Sequence, residues 1–383
     1  MPENRIRYNN DFQDREAVIK VIGVGGGGGN AVNRMVAADI RLVEFLAVNT
    51  DAQDLRRSKA PNRIQIGEGL TKGLGVGGDP SKGKDAALES VEMIKEAVAD
   101  ADLIFVTAGM GGGTGTGAAP VVAQIAKETN PSSLVIGVVT RPFRFEASVR
   151  AEQAQAGIQE LRKHADCVLV IPNDRILSVA DRDTSTEEAY RMADDVLRQA
   201  IQGISDVITR SGAINVDFQD VKKIMTKSGE ALIGIGRASG EDRHLEAAKA
   251  AVHSPMLENA VIDGAKGILV NFTSSKDIRI VEVNEAMEYI NKHANPDVFI
   301  KYGQAFDDTL GDEMKITVIA TGFPSNRGEL ASDLGRRRAM TVGGKRQRRL
   351  DDDFLPEERV SSREEDLEKP AYLRRQSGTR RLK

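Results

Sequence analysis

Short apolar runs rich in valine, isoleucine and leucine alternate with longer amphipathic segments through the first half of the chain. The runs "AVIKVIGV", "VEFLAVNTD", "DLIFVTA", "SLVIGVVT" and "CVLVIP" have the length and composition of buried strands, and the segments between them have helical spacing. Continuously apolar strands connected through helices form parallel sheets that are covered on both faces. Residues 17–185 are therefore predicted to form a Rossmann-like α/β domain.

One long helix is predicted to follow this domain. Between Ala189 and Ile208, apolar residues recur every three to four positions without interruption. Ser185 and Glu188 have the spacing of a capping box at the start of the pattern. A helix over residues 186–210 would be about 35 Å long, roughly the width of a domain.

A second domain is predicted over residues 211–324. The segment "EDRHLEAAKAAVHS" has helical spacing, and the segments "GILVNF", "VFIKYGQAF" and "KITVIAT" have the pattern of strands. This mixture indicates an α/β or α+β domain that contains hairpins.

Both ends of the chain are predicted to be disordered. Residues 1–16 are polar, and residues 325–365 form blocks of like charge with few apolar side chains. From residue 326 onward basic side chains exceed acidic ones by five, so the rest of the chain carries −9 within a total of −4. The last segment, residues 366–383, contains "KPAYLRRQ", which regains apolar side chains and is predicted to be a short docking peptide.

The composition excludes several classes of protein. Cys167 is the only cysteine, so a disulfide framework is impossible and a reducing compartment is expected. The first residues resemble neither a signal peptide nor a transit peptide, and no apolar stretch approaches the roughly 18 residues of a membrane span. We therefore expect a soluble, cytoplasmic protein.

Glycine-rich loops provide the candidate chemistry. Two predicted strands run directly into glycines that precede a helix, at 25–30 and 111–117, and a third glycine-rich segment spans 73–80. Backbone N–H groups without intervening side chains, at a helix N-terminus, form an anion site. Three such loops at the carboxyl edge of one sheet suit a polyphosphate better than a single phosphate.

A nicotinamide-dependent oxidoreductase is the alternative interpretation. Gly23, Gly25 and Gly28 match the dinucleotide fingerprint, and Asp51 ends the next strand where a ribose-binding acid belongs. This alternative does not account for the second glycine loop. The segment "GDPSKGKD" resembles a Walker A loop, but Asp85 stands where a hydroxyl is required and would repel phosphates.

Several motifs together resemble the tubulin/FtsZ superfamily of GTPases. The segment "GGGTGTG" is its signature, and "IKVIGVGGGGGNAVNRM", "AVNTDAQ", "VVTRPFRFE", "IPNDRI" and "NVDFQDV" are similar to the bacterial cell-division branch, the FtsZ family. The resemblance covers about residues 17–324. It implies a GTP-hydrolysing protein that polymerises into the filaments of the division ring, with GTP or GDP and Mg²⁺ as cofactors.

The resemblance also implies which residues bind the nucleotide. The glycine loops would cradle the phosphates, two charged residues would contact ribose and phosphate, and three residues would bind guanine. Mg²⁺ would be held through the GTP phosphates, without a cage of protein ligands. The implied nucleotide-binding residues are Gly26, Gly27, Gly28, Gly29, Asn30, Asp51, Val76, Gly77, Gly78, Gly112, Gly113, Thr114, Gly115, Thr116, Glu146, Arg150, Asn173, Tyr190 and Asp194.

The implied catalytic residues lie beyond the other end of the long helix. Asn215, Asp217 and Asp220 follow it, whereas Asp194 lies near its start. The intervening helix would hold the acids roughly 20 Å or more from a nucleotide bound at its start. They would therefore complete the site of a neighbouring subunit, and a head-to-tail contact that does not close makes a filament.

The C-terminal peptide is expected to bind membrane-tethering and regulatory division proteins. It departs from the family pattern at Lys369 and at Tyr372, where an apolar residue and phenylalanine are usual. Neither a direct membrane span nor nucleic-acid binding is expected, and the resemblance implies assembly at midcell. The docking residues would be Pro370, Tyr372, Leu373, Arg374 and Arg375.

Overall fold

A computed structural model describes residues 16–210, 212, 214–257 and 262–323. The predictions for residues 1–15 and 324–383, including the charged linker and the docking peptide, lie outside the described residues. The described strands are β1 (Ile19–Val24), β2 (Val43–Asn49), β3 (Asn62–Gln65), β4 (Leu103–Gly109), β5 (Leu134–Arg141), β6 (Cys167–Pro172), β7 (Gly229–Ala238), β8 (Gly267–Ser274), β9 (Phe299–Phe306) and β10 (Met314–Thr321).

The helices cover both faces of the sheet that these strands form. They are α1 (Gly25–Ala37), α2 (Ala52–Arg57), α3 (Glu68–Thr71), α4 (Pro80–Glu89), α5 (Val91–Val98), α6 (Thr114–Thr129), α7 (Ser148–His164), α8 (Thr186–Thr209), α9 (Phe218–Met225), α10 (Arg243–Val252) and α11 (Ile280–His293). Short 3₁₀ helices span Arg144–Glu146, Asn173–Ser178, Pro255–Leu257, Ile262–Gly264 and Asp308–Leu310.

The described strands form one sheet in the order β3-β2-β1-β4-β5-β6-β7-β10-β8-β9. Pairing is parallel from β3 through β7, antiparallel where β10 pairs with β7 and β8, and parallel again between β8 and β9. Gly23 of β1 lies in register with Thr107 of β4. The loops that follow these two central strands therefore emerge side by side, at the point where the strand order reverses.

Side chains of the central strands alternate between two cores. Val21 of β1 packs in the core that includes α1 and α8, whereas Ile22 packs in the core that includes α5, α6 and α7. The β4 neighbours Phe105 and Ile104 divide in the same way. Both faces are thus buried, which confirms the predicted parallel sheet and Rossmann-like fold class.

The long helix α8 is confirmed. It spans Thr186–Thr209, and the Ser185 side chain accepts a hydrogen bond from the backbone N–H of Glu188. Its apolar face packs in the core beneath β1, β4 and β5. At 1.5 Å per residue the helix is about 36 Å long, so its two ends lie far apart.

Some local predictions were wrong. The expected hairpins among the later strands are absent from the described part, because β8 and β9 are parallel and are connected through α11. Neither α11 nor β7 was predicted. The segment of helical spacing before the predicted strand "DLIFVTA" is divided at Ser90 into α4 and α5, and α1 begins at Gly25, within the glycine run.

Candidate functional site

A cavity of about 440 Å³ opens at the carboxyl ends of β1, β2 and β4. Its volume is in the range of small-ligand sites. Most of the nucleotide-binding residues implied by the motif resemblance line this cavity. They come from all three glycine loops, from the residues around Glu146 and Asn173, and from the start of α8. The lining includes Gly26, Gly27, Asn30, Asp51, Val76, Gly77, Gly78, Gly112, Gly113, Thr114, Gly115, Glu146, Arg150, Asn173, Tyr190 and Asp194.

Three nominated residues do not line this cavity. Gly28 packs α1 against the sheet, and a Cβ there would lie 2.3 Å from the carbonyl oxygen of Thr107. Gly29 lies beside a smaller neighbouring pocket. The Thr116 hydroxyl lies beneath the second loop and accepts a hydrogen bond of 2.8 Å from the N–H of Gly111. Gly28 and Thr116 thus support the loops rather than line the cavity.

Two helix N-termini point at the cavity. Gly25 starts α1 with φ of +71°, and its missing Cβ would lie 2.8 Å from the nitrogen of Gly115 in the first turn of α6. Neither helix has an acidic residue in its first turn or a side chain that caps its N–H groups. The first N–H groups are therefore available to an anion, and the helix dipoles favour negative charge.

The third glycine loop forms the outer rim. Gly75, Gly77 and Gly78 all have positive φ, and a Cβ at Gly77 or Gly78 would contact nothing within 4 Å. The loop is attached beside the end of β2, since the N–H of Gly75 donates to the carbonyl of Thr50, the residue directly after this strand. Asp51 caps α2 by accepting a 2.8 Å hydrogen bond from the N–H of Gln53. Asp51 therefore has a structural role as a helix cap, in addition to any contact that it makes with a ligand.

A charged pair borders the cavity at the start of α7. Glu146 is nearly buried, accepts a 2.9 Å hydrogen bond from the N–H of Phe143 and lies 3.2 Å from the half-exposed guanidinium of Arg150. Tyr190 meets Phe143 edge to face, with ring centroids 5.3 Å apart. Burial raises the pKa of the Tyr190 phenol, and the nearby Glu146 carboxylate raises it further. Tyr190 is therefore neutral at physiological pH.

A buried amide oxygen and a largely buried carboxylate define the inner end of the cavity. Asn173 is buried, and its Oδ1 has no hydrogen-bond partner among the described residues. The Asp194 carboxylate is 15% exposed, and its Oδ2 lies 3.1 Å from Nε of Arg34. Burial raises the pKa of Asp194, and the Arg34 guanidinium opposes this shift. An acceptor without a partner in the described part of the chain and a largely buried carboxylate, both lining one cavity, suit a ligand edge that carries N–H donors.

The structure separates the nominated catalytic residues from this cavity. Asn215 and Asp217 line a different cavity of about 770 Å³ beside Thr209 at the far end of α8. In the described part the two cavities share no lining residue. The 14 positions from Asp194 to Ile208 along α8 correspond to about 21 Å.

The three residues at the far end have different surroundings. The Asn215 Oδ1 accepts a 2.9 Å hydrogen bond from the N–H of Gly212. Asp220 Oδ2 lies 2.9 Å from Nζ of Lys301 on β9. Asp217 is the N-cap residue of α9, but within the described ranges its exposed carboxylate has neither a hydrogen-bond partner nor an ion-pair partner.

Sequence reasoning missed several lining residues. Thr50 follows β2, and its hydroxyl lies 2.7 Å from that of Thr114 in the second loop. Thr140 is the next-to-last residue of β5, and Asn49, Asp54 and Pro142 also face the cavity. The rule that ligands bind at the carboxyl ends of parallel strands identifies these positions, because Asn49, Thr50 and Thr140 lie at or directly after a strand end.

The described part of the chain contains neither a cluster of metal ligands nor a membrane-spanning helix. No three His, Cys, Asp or Glu side chains converge there as metal ligands would. Across the same part of the chain, every helix is too short or too polar to cross a bilayer.

Comparison with known proteins bears on both halves of the chain. The family model described as the Tubulin/FtsZ family, GTPase domain, matches residues 18–181, and that of the FtsZ family, C-terminal domain, matches residues 229–324. The first of these covers all three glycine loops, so it favours GTP over the nicotinamide alternative.

Solved structures give the same result. An FtsZ dimer from M. jannaschii is 41% identical, with a TM-score of 0.77, over 81% of this chain and 89% of that one. A mutant FtsZ from M. jannaschii matches with the same identity and TM-score, over 80% of this chain and 92% of that one. CetZ2 from Haloferax volcanii, solved as a GTPγS-bound protofilament, shares the fold at 22% identity and a TM-score of 0.70, over 85% of this chain and 99% of that one.

The glycine loops, the shape of the cavity and these matches agree, and the chain belongs to the FtsZ family of tubulin-like cytoskeletal GTPases, which bind GTP and GDP.

Proposed function

We propose that this chain polymerises head to tail and hydrolyses GTP at the junction between two subunits in bacterial cell division. The observation that carries the proposal is the position of the glycine-lined cavity and of Asp217 at opposite ends of α8. A helix about 36 Å long keeps a subunit's own acids away from its own nucleotide. A second subunit stacked on the first would bring its acids to that nucleotide, and repetition of this contact would make a filament.

The lining of the cavity supports the binding of a guanine nucleotide. The N–H groups at the starts of α1 and α6 would hold the α- and β-phosphates, and the rim loop at Val76 to Gly78 would face the γ-phosphate. Glu146 and Arg150 would contact ribose and phosphate. At the inner end, Asp194 and Asn173 would bind the base beside Tyr190. Guanine carries N–H donors at N1 and at its exocyclic amine, which match the Asp194 carboxylate. Adenine lacks this pair of donors.

Hydrolysis would depend mainly on positioning and charge. The neighbour's Asp217 and Asp220 would orient and polarise the attacking water, and Asn215 would provide a polar contact. Mg²⁺ bound through the phosphates would neutralise charge that develops on them. Asp217, whose carboxylate has no partner among the described residues, is free to accept a hydrogen bond from water.

Exposed apolar side chains support assembly at the nucleotide end. Phe145 adjoins Glu146, Val149 adjoins Arg150, and Leu177 and Val179 lie in or beside the 3₁₀ helix that begins at Asn173. Large apolar side chains grouped around a polar cavity are typical of an interaction surface. The related FtsZ from M. jannaschii was solved as a dimer. A second subunit would cover these side chains and close the cavity against water.

The C-terminal peptide would attach the filament to its partners. Pro370, Tyr372, Leu373, Arg374 and Arg375 would dock on membrane-tethering and regulatory division proteins, which would place the filament in the cytoplasm at midcell. Because this segment lies outside the residues proposed for catalysis, removal of residues 366–383 should leave GTP turnover and the amount of sedimentable polymer unchanged. A loss of either would contradict the assignment.

Subunit mixing tests the shared site. Asp217→Ala subunits keep a complete nucleotide cavity, and Asp194→Asn subunits keep complete acids. Each variant alone should be nearly inactive, whereas a mixture should regain turnover because the acids of one complete the cavity of the other. Turnover per subunit of the wild type should also fall steeply on dilution. Full turnover in dilute monomeric protein, or a mixture no more active than its parts, would overturn the proposal.

A further inference from the structure

Asp220 and Asp217 differ in one respect that the shared-site proposal does not use. Asp220 forms an ion pair with Lys301, 2.9 Å from Nζ to Oδ2, whereas Asp217 is free of partners in the described part of the chain. The two acids lie in and just before the first turn of α9, and Lys301 lies on β9, at the edge of the described sheet. The pair thus connects the acid-bearing helix to a strand 81 positions later in the chain.

The lysine side chain is itself supported. Nζ of Lys301 lies 5.7 Å from the ring centroid of Phe299, two positions earlier on the same face of β9, and Nζ of Lys223 lies 4.6 Å from it. A cation over an aromatic face is attracted to the ring, and its aliphatic stem is restricted. When Lys301 pairs with Asp220, it therefore loses less rotational freedom than an ordinary surface lysine would lose.

The ion pair between Lys301 and Asp220 becomes strong only when a neighbouring subunit covers it. The side chains of Lys301 and Asp220 are 37% and 32% exposed, and pairs at that exposure contribute little to folding stability because water screens them. At a junction between subunits water is excluded and the attraction between the charges increases. The ammonium group then fixes the direction of the Asp220 carboxylate at the moment when that carboxylate has to orient water.

We propose that Lys301 is a positioning residue for hydrolysis, which holds the Asp220 carboxylate in the orientation that serves the neighbouring subunit's GTP. This proposal rests on the shared-site function. Asp220 and Asp217 then have different roles. Asp220 is paired with its own chain before assembly and is held in its orientation once the junction is covered, whereas Asp217, without a partner in the described part of the chain, is left free to bond to the water.

The test compares two lysines on the same aromatic ring. Lys301→Met removes the charge and keeps the length of the side chain, Lys301→Arg restores the charge, and Lys223→Met removes a neighbouring lysine that does not pair with Asp220. Sedimentation measures polymer, and steady-state phosphate release at saturating polymer gives kcat and KM for GTP. Lys301→Met should lower kcat about tenfold, with KM and polymer mass unchanged, because a misplaced catalytic group costs turnover rather than binding. Lys301→Arg and Lys223→Met should stay within about twofold of the wild type.

A double-mutant cycle excludes a merely structural effect. In an Asp220→Asn background, Lys301→Met should cause no further loss of turnover, since the residue acts through the carboxylate. Three outcomes would overturn the inference. They are equal losses of turnover for Lys301→Met and Lys223→Met, additive losses in the double-mutant cycle, and a kcat of Lys301→Met within about twofold of the wild type. Failure of the shared-site function would appear differently, as wild-type turnover that does not depend on protein concentration.

Discussion

Arg34 and Asp194 are 160 positions apart in the chain, yet Nε of Arg34 lies 3.1 Å from Oδ2 of Asp194 at the inner end of the cavity. The contact connects α1, which carries the first glycine loop, to the start of α8. Burial raises the pKa of Asp194, the neighbouring Asp195 carboxylate adds to the rise, and Arg34 opposes both. The charge of the proposed base-binding acid therefore depends on a residue of the phosphate-binding helix.

As the pH is lowered, GTP affinity should begin to decrease at a higher pH than it would if Asp194 were an ordinary solvated aspartate. The pKa of Asp194 is raised above 3.8, so its carboxylate is protonated at a higher pH than a solvated one, and the protonated acid cannot accept from both guanine donors. Arg34→Met should move the loss of affinity to still higher pH. Titration of a fluorescent GTP analogue between pH 7.5 and pH 5 measures both curves, and coincident curves would refute the role of Arg34.

Asp194→Asn should change the base preference. The amide offers one acceptor and one donor, which leaves a guanine donor unpaired but matches xanthine, whose exocyclic oxygen replaces the amine. GTP affinity should fall at least about 100-fold, and affinity for xanthosine triphosphate should rise. Asp195→Asn is the matched control, because Asp195 pairs with Arg198 and does not line the cavity. Equal effects of the two substitutions would argue against base recognition by Asp194.

Asp217→Ala should separate assembly from turnover. GTP binding should stay within about twofold of the wild type, kcat should fall at least about 100-fold, and polymers should persist after formation because they remain in the GTP state. Light scattering follows the polymer and phosphate release follows turnover. Asp242→Ala is a suitable control, since Asp242 is also an exposed N-cap residue without a capping bond, at α10. Normal hydrolysis by Asp217→Ala would contradict the proposed catalytic role.

Two adjacent glycines of α1 should respond oppositely to alanine. At Gly28 a Cβ would lie 2.3 Å from the Thr107 carbonyl oxygen, so Gly28→Ala should destabilise the fold by about 1–3 kcal/mol or more. At Gly29 a Cβ would meet nothing within 4 Å, so Gly29→Ala should stabilise the helix by up to about 1 kcal/mol. Urea unfolding measures both. Similar midpoints for the two variants would show that the close approach of α1 to β4 is not maintained.

The fold class and the location of the candidate site could be predicted from local sequence patterns. Apolar strands that end in glycines place anion-binding loops at one edge of a parallel sheet, because the carboxyl ends of parallel strands share an edge. The apolar spacing from Ala189 to Ile208 likewise predicted α8, and with it the separation of Asp217 from the cavity. Both inferences depend on helix and strand periodicity, which is set by residues within a few positions of each other along the chain.

Which side chains meet depends on packing between distant parts of the chain, and the sequence patterns did not predict it. Local periodicity did not indicate that β8 and β9 are parallel through α11, that Gly28 faces Thr107 rather than the cavity, or that Thr116 supports the second loop from below. The ion pairs of Asp194 with Arg34 and of Asp220 with Lys301 join positions far apart in the chain. Such contacts depend on strand register and on the packing of helices, in which side chains from every part of the chain compete for the same space.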